Sequence, residues 1–348
     1  MKILVVGGAG YVGSHVLRAV LNAGHDAWAF DNLSLGHAAS VPLGRLIVGD
    51  LNDRSALARI MSERGIEAVL HLAARTLVGE SVQDPAKYYQ NNVTATLSLF
   101  DAMRDAGVSR IVFSSTTAVY GEPAVVPIDE TQPLAPINPY GFTKRVVEQV
   151  LADYAKAYGW SYAALRYFNA AGASPEGDIG EDHRPESHLI PLVLQVALGQ
   201  RKELTIFGRD YPTPDGTCIR DYVHVDDLAA AHLAALDRLA PGVTLQLNLG
   251  TGRGYSVQEV VDACRRITGE AIPTVDAPRR PGDAPRLVAD ASRARQVLGW
   301  VPRYTDLNEI VATAWAWHSR HPQGFQAAPK VLPVAPAPAS DGIFVTGP

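Results

Sequence analysis

Lys2-Ile3-Leu4-Val5-Val6-Gly7-Gly8-Ala9-Gly10-Tyr11-Val12-Gly13 opens the chain and sets its architecture. Lys2 to Val6 is a short apolar run suited to a buried parallel strand, and Ser14 to Ala23 has helical spacing, so the glycines fall at a strand-to-helix turn. Glycines in that setting permit a tight turn, close backbone approach to a pyrophosphate, and packing of the helix on the strand. Two registers fit, Gly7-x-x-Gly10-x-x-Gly13 and Gly8-x-Gly10-x-x-Gly13. A second strand, Asp26 to Phe30, ends at Asp31, eighteen residues after Gly13. A carboxylate there accepts hydrogen bonds from the adenosine ribose hydroxyls. It repels a 2'-phosphate, and Asn32-Leu33 supplies no arginine to welcome one, so the expected cofactor is NAD and not NADP.

Outward from this turn, strand-like runs recur at Leu46 to Val48, Ala68 to Leu72, Arg110 to Ser114, Tyr162 to Tyr167 and Leu245 to Leu249, with helical stretches between them. The alternation predicts an α/β fold, a Rossmann-like doubly wound parallel sheet. Asp50-Leu51 follows the third strand, where a side chain contacts adenine or caps a helix. Ser114-Ser115-Thr116-Thr117 follows a later strand, placing hydroxyls at the carboxyl edge of the sheet, where ligands collect. From Ala170 to Asp221 the composition shifts to Gly, Pro and acidic residues around a short apolar helix, Leu189 to Leu198, which marks a smaller α/β substrate-binding lobe. The expected division is residues 1–169 with about 223–255 for the dinucleotide domain, and about 170–222 with 256–325 for the lobe. Residues 326–348 read as an extended Ala/Pro-rich tail.

Tyr140-Gly-Phe-Thr-Lys144 adds chemistry. A free tyrosine has a pKa near ~10, and bringing it to neutrality takes roughly 4 kcal/mol of preferential phenolate stabilisation. Residues four apart share a helix face, so Lys144 puts a positive charge near Tyr140. Asn138-Pro139 reads as an N-cap followed by proline at the first helical position, which places Tyr140 in the first turn, where the helix dipole favours an anion.

Composition bounds the partners. The chain has 348 residues, 47% of them apolar and 19% charged, with a net charge of -5 and no basic stripe. Nucleic acid and anionic membranes are therefore excluded as expected partners, and no run reaches the ~18 apolar residues of a membrane span. Cys218 and Cys264 form no CxxC, which fits a reducing compartment and two packing residues. No HExxH occurs, and His183 and His188 read as lying in a polar stretch without a carboxylate at ligand spacing, so no metal is expected. The chain enters its first strand without a leader, and a cytoplasmic location is expected.

Taken together, the glycine turn, Asp31, the hydroxyl cluster and Tyr140/Lys144 resemble the extended short-chain dehydrogenase/reductase family, and within it the UDP-glucose (UDP-galactose) 4-epimerases. Further stretches carry the resemblance over about residues 1–320: Val78-Gly79-Glu80-Ser81, Tyr88-Tyr89-Gln90-Asn91-Asn92, Asn138-Pro139-Tyr140-Gly141, Arg166-Tyr167-Phe168-Asn169, Ile206-Phe207-Gly208-Arg209-Asp210-Tyr211, Arg220-Asp221-Tyr222-Val223-His224 and Arg280-Pro281-Gly282-Asp283. In such enzymes the phenolate takes the sugar 4-OH proton while C4 gives a hydride to NAD. The 4-keto sugar then turns over and recovers the hydride on its other face.

The resemblance implies that Tyr140 is the base, that Lys144 lowers its pKa and holds the nicotinamide ribose, and that Thr116 bonds the reacting hydroxyl. It implies NAD contacts at Gly7, Gly10, Tyr11, Val12, Gly13, Asp31, Asn32, Asp50, Leu51, Ala73, Ala74, Asn91, Ser114 and Tyr167. On the UDP-sugar it implies Asn169 at the sugar or diphosphate, His188 and Phe207 at the uracil, Arg220 and Arg280 on the diphosphate and Asp283 on the uridine ribose, with Leu189, Thr205 and Tyr222 as further contacts. Leu287 stands where side-chain bulk limits the sugar 2-substituent, and Thr76 stands where relatives often carry lysine. A homodimer through helices at about Asp84 to Ala106 and Tyr140 to Tyr158 is likewise implied. Related dehydratases and decarboxylases place an acid just after the central threonine, whereas Thr116 precedes Thr117-Ala118-Val119, which disfavours both reactions. Epimerisation of another UDP-sugar, such as UDP-xylose or UDP-N-acetylglucosamine, net NAD(P)-dependent reduction, and non-catalytic nucleotide sensing remain as rival expectations.

Overall fold

The computed structural model describes residues 1–280 and 283–326. Pro281, Gly282 and the expected tail beyond Gln326 lie outside the described residues.

Seven parallel strands form the central sheet: β1 (Lys2–Val6), β2 (Asp26–Asp31), β3 (Leu46–Val48), β4 (Ala68–His71), β5 (Arg110–Thr116), β6 (Ser161–Tyr167) and β7 (Thr244–Leu249), in the spatial order β7-β6-β5-β4-β1-β2-β3. The order reverses between β1 and β4, so the carboxyl ends of those two strands border the crevice where doubly wound sheets bind ligands. The apolar runs exist because both faces are covered. On one face Ile3, Val5, Ala29 and Leu165 pack against Val16, Leu17 and Val20 of the Tyr11–Asn22 helix and Leu228 and Ala235 of the Val225–Arg238 helix. On the other, Leu4, Val6, Ile111 and Phe113 meet Leu57, Leu99, Phe100, Val147 and Leu151 from three helices. Alternate residues of one strand thus feed two cores.

The first helix starts at Tyr11, three residues before the expected Ser14. Gly10-Tyr11-Val12-Gly13 belongs to the cap and first turn, where backbone needs and not apolar period choose the residues. Of the two roles read for Asp50, the helix cap falls instead to Asp53, which caps the Arg54–Arg64 helix by accepting from the Ala56 N–H.

A second sheet joins Asn169–Ala171, Ile219–His224, Gly254–Ser256 and Arg286–Leu287, and Leu204–Phe207 pairs in parallel with Thr274–Ala277. The helices Leu189–Ala197, Val257–Thr268 and Leu307–Arg320 close a separate core around Val193, Leu194, Val260 and Ile310. This sheet continues to His224, two residues past the boundary read from composition. Asp221, buried at its centre, accepts from the Thr251, Gly252 and Ala289 N–H groups and so ties two segments to one strand.

Candidate active site

Both readings of the glycine turn have a steric basis, since a Cβ on Gly8 would lie 2.7 Å from the Ala29 Cβ and 2.8 Å from the Val5 carbonyl oxygen. Gly7 has φ of +79°, and a Cβ there would lie 2.5 Å from the Ala73 nitrogen at the end of β4. A Cβ on Gly13 would lie 2.0 Å from the Gly7 carbonyl oxygen. Gly10, by contrast, caps the helix with no side chain, and a Cβ would meet only the Gly7 oxygen at 3.3 Å. The turn thus needs Gly7, Gly8 and Gly13 for space, with Gly7 at positive φ, and it leaves the N-terminus of a 12-residue helix open to an anion.

Beside it, Asp31 accepts from the Ala9 N–H at 3.0 Å and the Leu33 N–H at 2.8 Å. Burial raises its pKa, and those two N–H groups oppose the rise. Leu33 pays for this hairpin-like bend with φ of 57°, a left-handed conformation uncommon outside glycine. Asn32 donates to Asp50 at 3.1 Å, which brings two of the expected adenosine-side residues together. Val12 packs at the margin of one core and Leu51 at the margin of the other. Ala74 and Asn91 are half-buried on the segments after β4.

At the carboxyl end of β5, the Pro139–Tyr158 helix starts as its sequence predicts, with Asn138 accepting from the Gly141 N–H at 2.9 Å. Lys144 is buried, donates to the Ser114 carbonyl at 2.7 Å and stands 4.7 Å from the Phe113 ring centre. Ser114 Oγ lies 2.8 Å from His232 Nε2. Tyr167 sits next to Ser114, and burial lifts its phenol while a Ser114 hydrogen bond opposes the lift.

The electrostatics differ from the sequence expectation. Burial pushes the Tyr140 phenol well above its ordinary range, and hydrogen bonding with Thr116 pulls only partly back. Burial also lowers Lys144 from 10.5 to about 7, with Glu148 opposing. Desolvation acts against both charges because each would be formed out of water. The protein's own groups thus leave Tyr140 protonated at neutral pH, and Lys144 alone does not make it a base.

On the second sheet, Arg220 Nη1 donates to the carbonyls of Ile219 at 2.9 Å and Ala284 at 2.8 Å, and its Nη2 stands 3.6 Å from Asp283. Arg280 donates to the same Asp283 carboxylate at 2.9 Å and covers the Phe207 ring at 5.1 Å. Phe207, 39% exposed, lies two residues from Thr205 on one strand, and Leu287 pairs with Arg220. Asn169, His188, Leu189 and Tyr222 line one small cavity.

Several residues escaped the sequence reading. Glu148, one helical turn beyond Lys144, is buried in an ion pair with Arg166, which also donates to Tyr120 at 2.8 Å. The i, i+4, i+8 run Tyr140, Lys144, Glu148 was a usable signal. Asn92 accepts from the Arg75 N–H and donates to its carbonyl, fixing the Ala74-Arg75-Thr76 segment. It sits in a π-helical turn, Tyr89–Thr94, inside a stretch that carries the resemblance but in which no role was read at Asn92. The reading of His183 and His188 as lacking carboxylates is corrected: Glu181 and Glu186 lie beside them, with Glu181 3.1 Å from His183 and in direct contact with His188. The carboxylates each stand two residues before a histidine, and the loop folds the four together.

A parallel sheet with an open helix terminus at its reversal point, and a buried Tyr140/Lys144 pair at its carboxyl edge, defines a dinucleotide-dependent enzyme of the extended short-chain dehydrogenase/reductase type. The chain belongs to the NAD dependent epimerase/dehydratase family, whose model matches residues 3–250. It is 50% identical over 331 residues to a UDP-glucose 4-epimerase from Halalkalibacterium halodurans, covering 95% of this chain and 99% of the relative. A crystal structure of UDP-glucose 4-epimerase superposes with a TM-score of 0.91 at 48% identity, covering 94% of this chain and 100% of the other. The Bifidobacterium longum UDP-glucose 4-epimerase, solved in complex with NAD+ and UDP, gives a TM-score of 0.88 at 39% identity over 93% and 100% of the two chains.

Proposed function

We propose that this protein interconverts UDP-glucose and UDP-galactose by inverting C4, with NAD as its cofactor. The observation that carries the reading is the placement of Tyr140 against Thr116, with Lys144 anchored beneath on Ser114 and with Thr117-Ala118-Val119, free of any acid, continuing from Thr116. The residues fit NAD: Gly10 leaves room at the helix terminus, Gly7 brings the turn against Ala73, and Asp31 is held for ribose hydroxyls. Bound NAD supplies a hydride acceptor and a nicotinamide cation whose charge favours the Tyr140 phenolate.

The chain's own work is then proton handling and tethering. Tyr140 takes the 4-OH proton and returns it, while Thr116 orients that hydroxyl. Lys144, positive once a phenolate or a ribose lies against it, holds both. Arg220 and Arg280 keep the diphosphate fixed, as two guanidinium forks suit a dianion in a protein of net negative charge. The sugar swings while its nucleotide stays bound. Asn169 and Leu189 face that swing, Phe207 and His188 the uracil, and Asp283 the uridine ribose. In this reading residues 1–169 with about 223–255 carry the cofactor, and about 170–222 with 256–325 carry the sugar nucleotide.

Exposed Val82, Tyr89, Leu97, Phe142 and Tyr158 on the 84–106 and 139–158 stretches and their border supply the apolar surface for the homodimer we assign. No helix among the described residues is long and apolar enough to cross a membrane, which accords with the cytoplasmic site of action we assign. The test is to incubate purified protein with UDP-galactose and no added reductant, following UDP-glucose and the NADH absorbance. UDP-glucose without net NADH supports the reading. Stoichiometric NADH change, or no conversion with NAD added, rejects it.

A further inference from the structure

The loop between the Asn169–Ala171 strand and the Leu189–Ala197 helix gathers Glu181, His183, Glu186 and His188. One donor atom from each lies within 4.8 Å of every other. His183 Nδ1 is 3.1 Å from Glu181 and 3.9 Å from Glu186, while His188 Nδ1 touches the same Glu181 carboxylate. Four ligands at zinc's usual bond lengths sit roughly 3.4 Å apart in a tetrahedron, so these donors need only small side-chain rotations to close on an ion.

The surroundings already orient the donors. Glu186 accepts from the Ser187 N–H at 2.6 Å and the His188 N–H at 2.8 Å. The His183 ring meets Tyr11 edge-on at 6.1 Å and His188 edge-on at 5.4 Å. The Glu181 carbonyl accepts from Trp317 Nε1 at 3.1 Å. A cavity of about 310 Å³ opens beside the cluster, lined by His318 and Asp182 as well as by three of the four. Partners of this sort, one bond out from the ligands, are what hold a metal site in shape.

We propose that Glu181, His183, Glu186 and His188 form a structural site for a divalent transition metal, with zinc the best fit. Two imidazoles argue against calcium and magnesium, which take oxygen donors, and four protein donors leave no open position for chemistry. The metal's task is mechanical. It fastens the loop to the Trp317 helix and to Tyr11, and it sets His188 and Leu189 beside Asn169 and Tyr222 in their shared cavity. Nothing in this proposal depends on which reaction the protein catalyses, because metal content is read without substrate.

The test uses the full chain without a polyhistidine tag, stripped with chelator and then titrated with zinc. The expected result is about one zinc per chain after gel filtration in metal-free buffer, with a higher melting temperature than the stripped protein. Cobalt in place of zinc gives the visible bands of four-coordinate cobalt. His183→Ala and Glu186→Gln each lose at least about tenfold in zinc affinity, since even changes one shell further out cost that much, while Arg184→Ala binds normally. Glu186→Gln keeps the side-chain shape and carries the test should His183→Ala fold poorly. Uptake below about a tenth of an equivalent at micromolar zinc, or Glu186→Gln binding as tightly as the parent, overturns the proposal.

Discussion

Replacing Lys144 with methionine should make the cofactor-free protein more stable while disabling it. Lys144 is buried, and its pKa falls from 10.5 to about 7 because the ammonium loses water. At about 1.36 kcal/mol per pKa unit, that fall means the charged form costs the fold about 5 kcal/mol. Methionine of similar length removes the cost and gives up the hydrogen bond to the Ser114 carbonyl, worth about 1–2 kcal/mol. The net expectation at pH 7 is a gain of about 3–4 kcal/mol in urea unfolding of the stripped protein. The pH dependence has a definite sign. The unfolded chain keeps this proton up to about pH 10.5, and the folded site releases it near 7, so stability from this group rises with pH between those values. The advantage of methionine therefore shrinks across that window. Turnover of UDP-galactose should fall by about 10²-fold or more. A Lys144→Met protein that is less stable than its parent at pH 7, or whose advantage is the same at pH 7 and pH 10, would refute burial as the dominant influence on this lysine.

Tyr140→Phe should lower kcat about 10²- to 10⁴-fold with KM little changed, read by UDP-glucose formation. Gly13→Ala sets a Cβ 2.0 Å from the Gly7 carbonyl oxygen, so the turn must shift, and NAD recovered from the denatured protein should fall well below that of the parent. Glu148→Gln leaves Arg166 charged and buried, with an expected loss of about 3–5 kcal/mol in urea unfolding. Arg220→Ala removes a guanidinium aimed by two carbonyls and Asp283, and UDP affinity by calorimetry should drop about 10- to 100-fold.

The sheet was legible because its strands are buried on both faces, and such strands write themselves as unbroken apolar runs. Val5 and Val6 serve opposite cores, yet both must be apolar. Helix ends were less legible wherever backbone geometry outranks period: Tyr11 begins a helix that apolar spacing starts at Ser14. The Asn138 cap and the Tyr140/Lys144 spacing are local, and local patterns survive in one dimension. What Lys144 does to Tyr140 is different, since it depends on how much water the neighbouring elements remove. Asn92 and the Glu181 loop were missed for a related reason. A π-helical turn and a four-residue cluster exist only when Arg75 or Trp317 arrives from elsewhere in the chain.

Tyr11 belongs to the glycine turn by sequence, but its hydroxyl donates to the Gly172 carbonyl at 2.6 Å, across 161 residues of chain, and its ring abuts His183. The two halves of this molecule are therefore not interchangeable parts. An engineer who grafts residues 170–222 from a relative with another sugar preference also replaces the surface that Tyr11 was shaped to meet. The graft will need its donor's counterpart of Tyr11, carried along from a stretch that looks, on paper, as though it concerned the nucleotide alone.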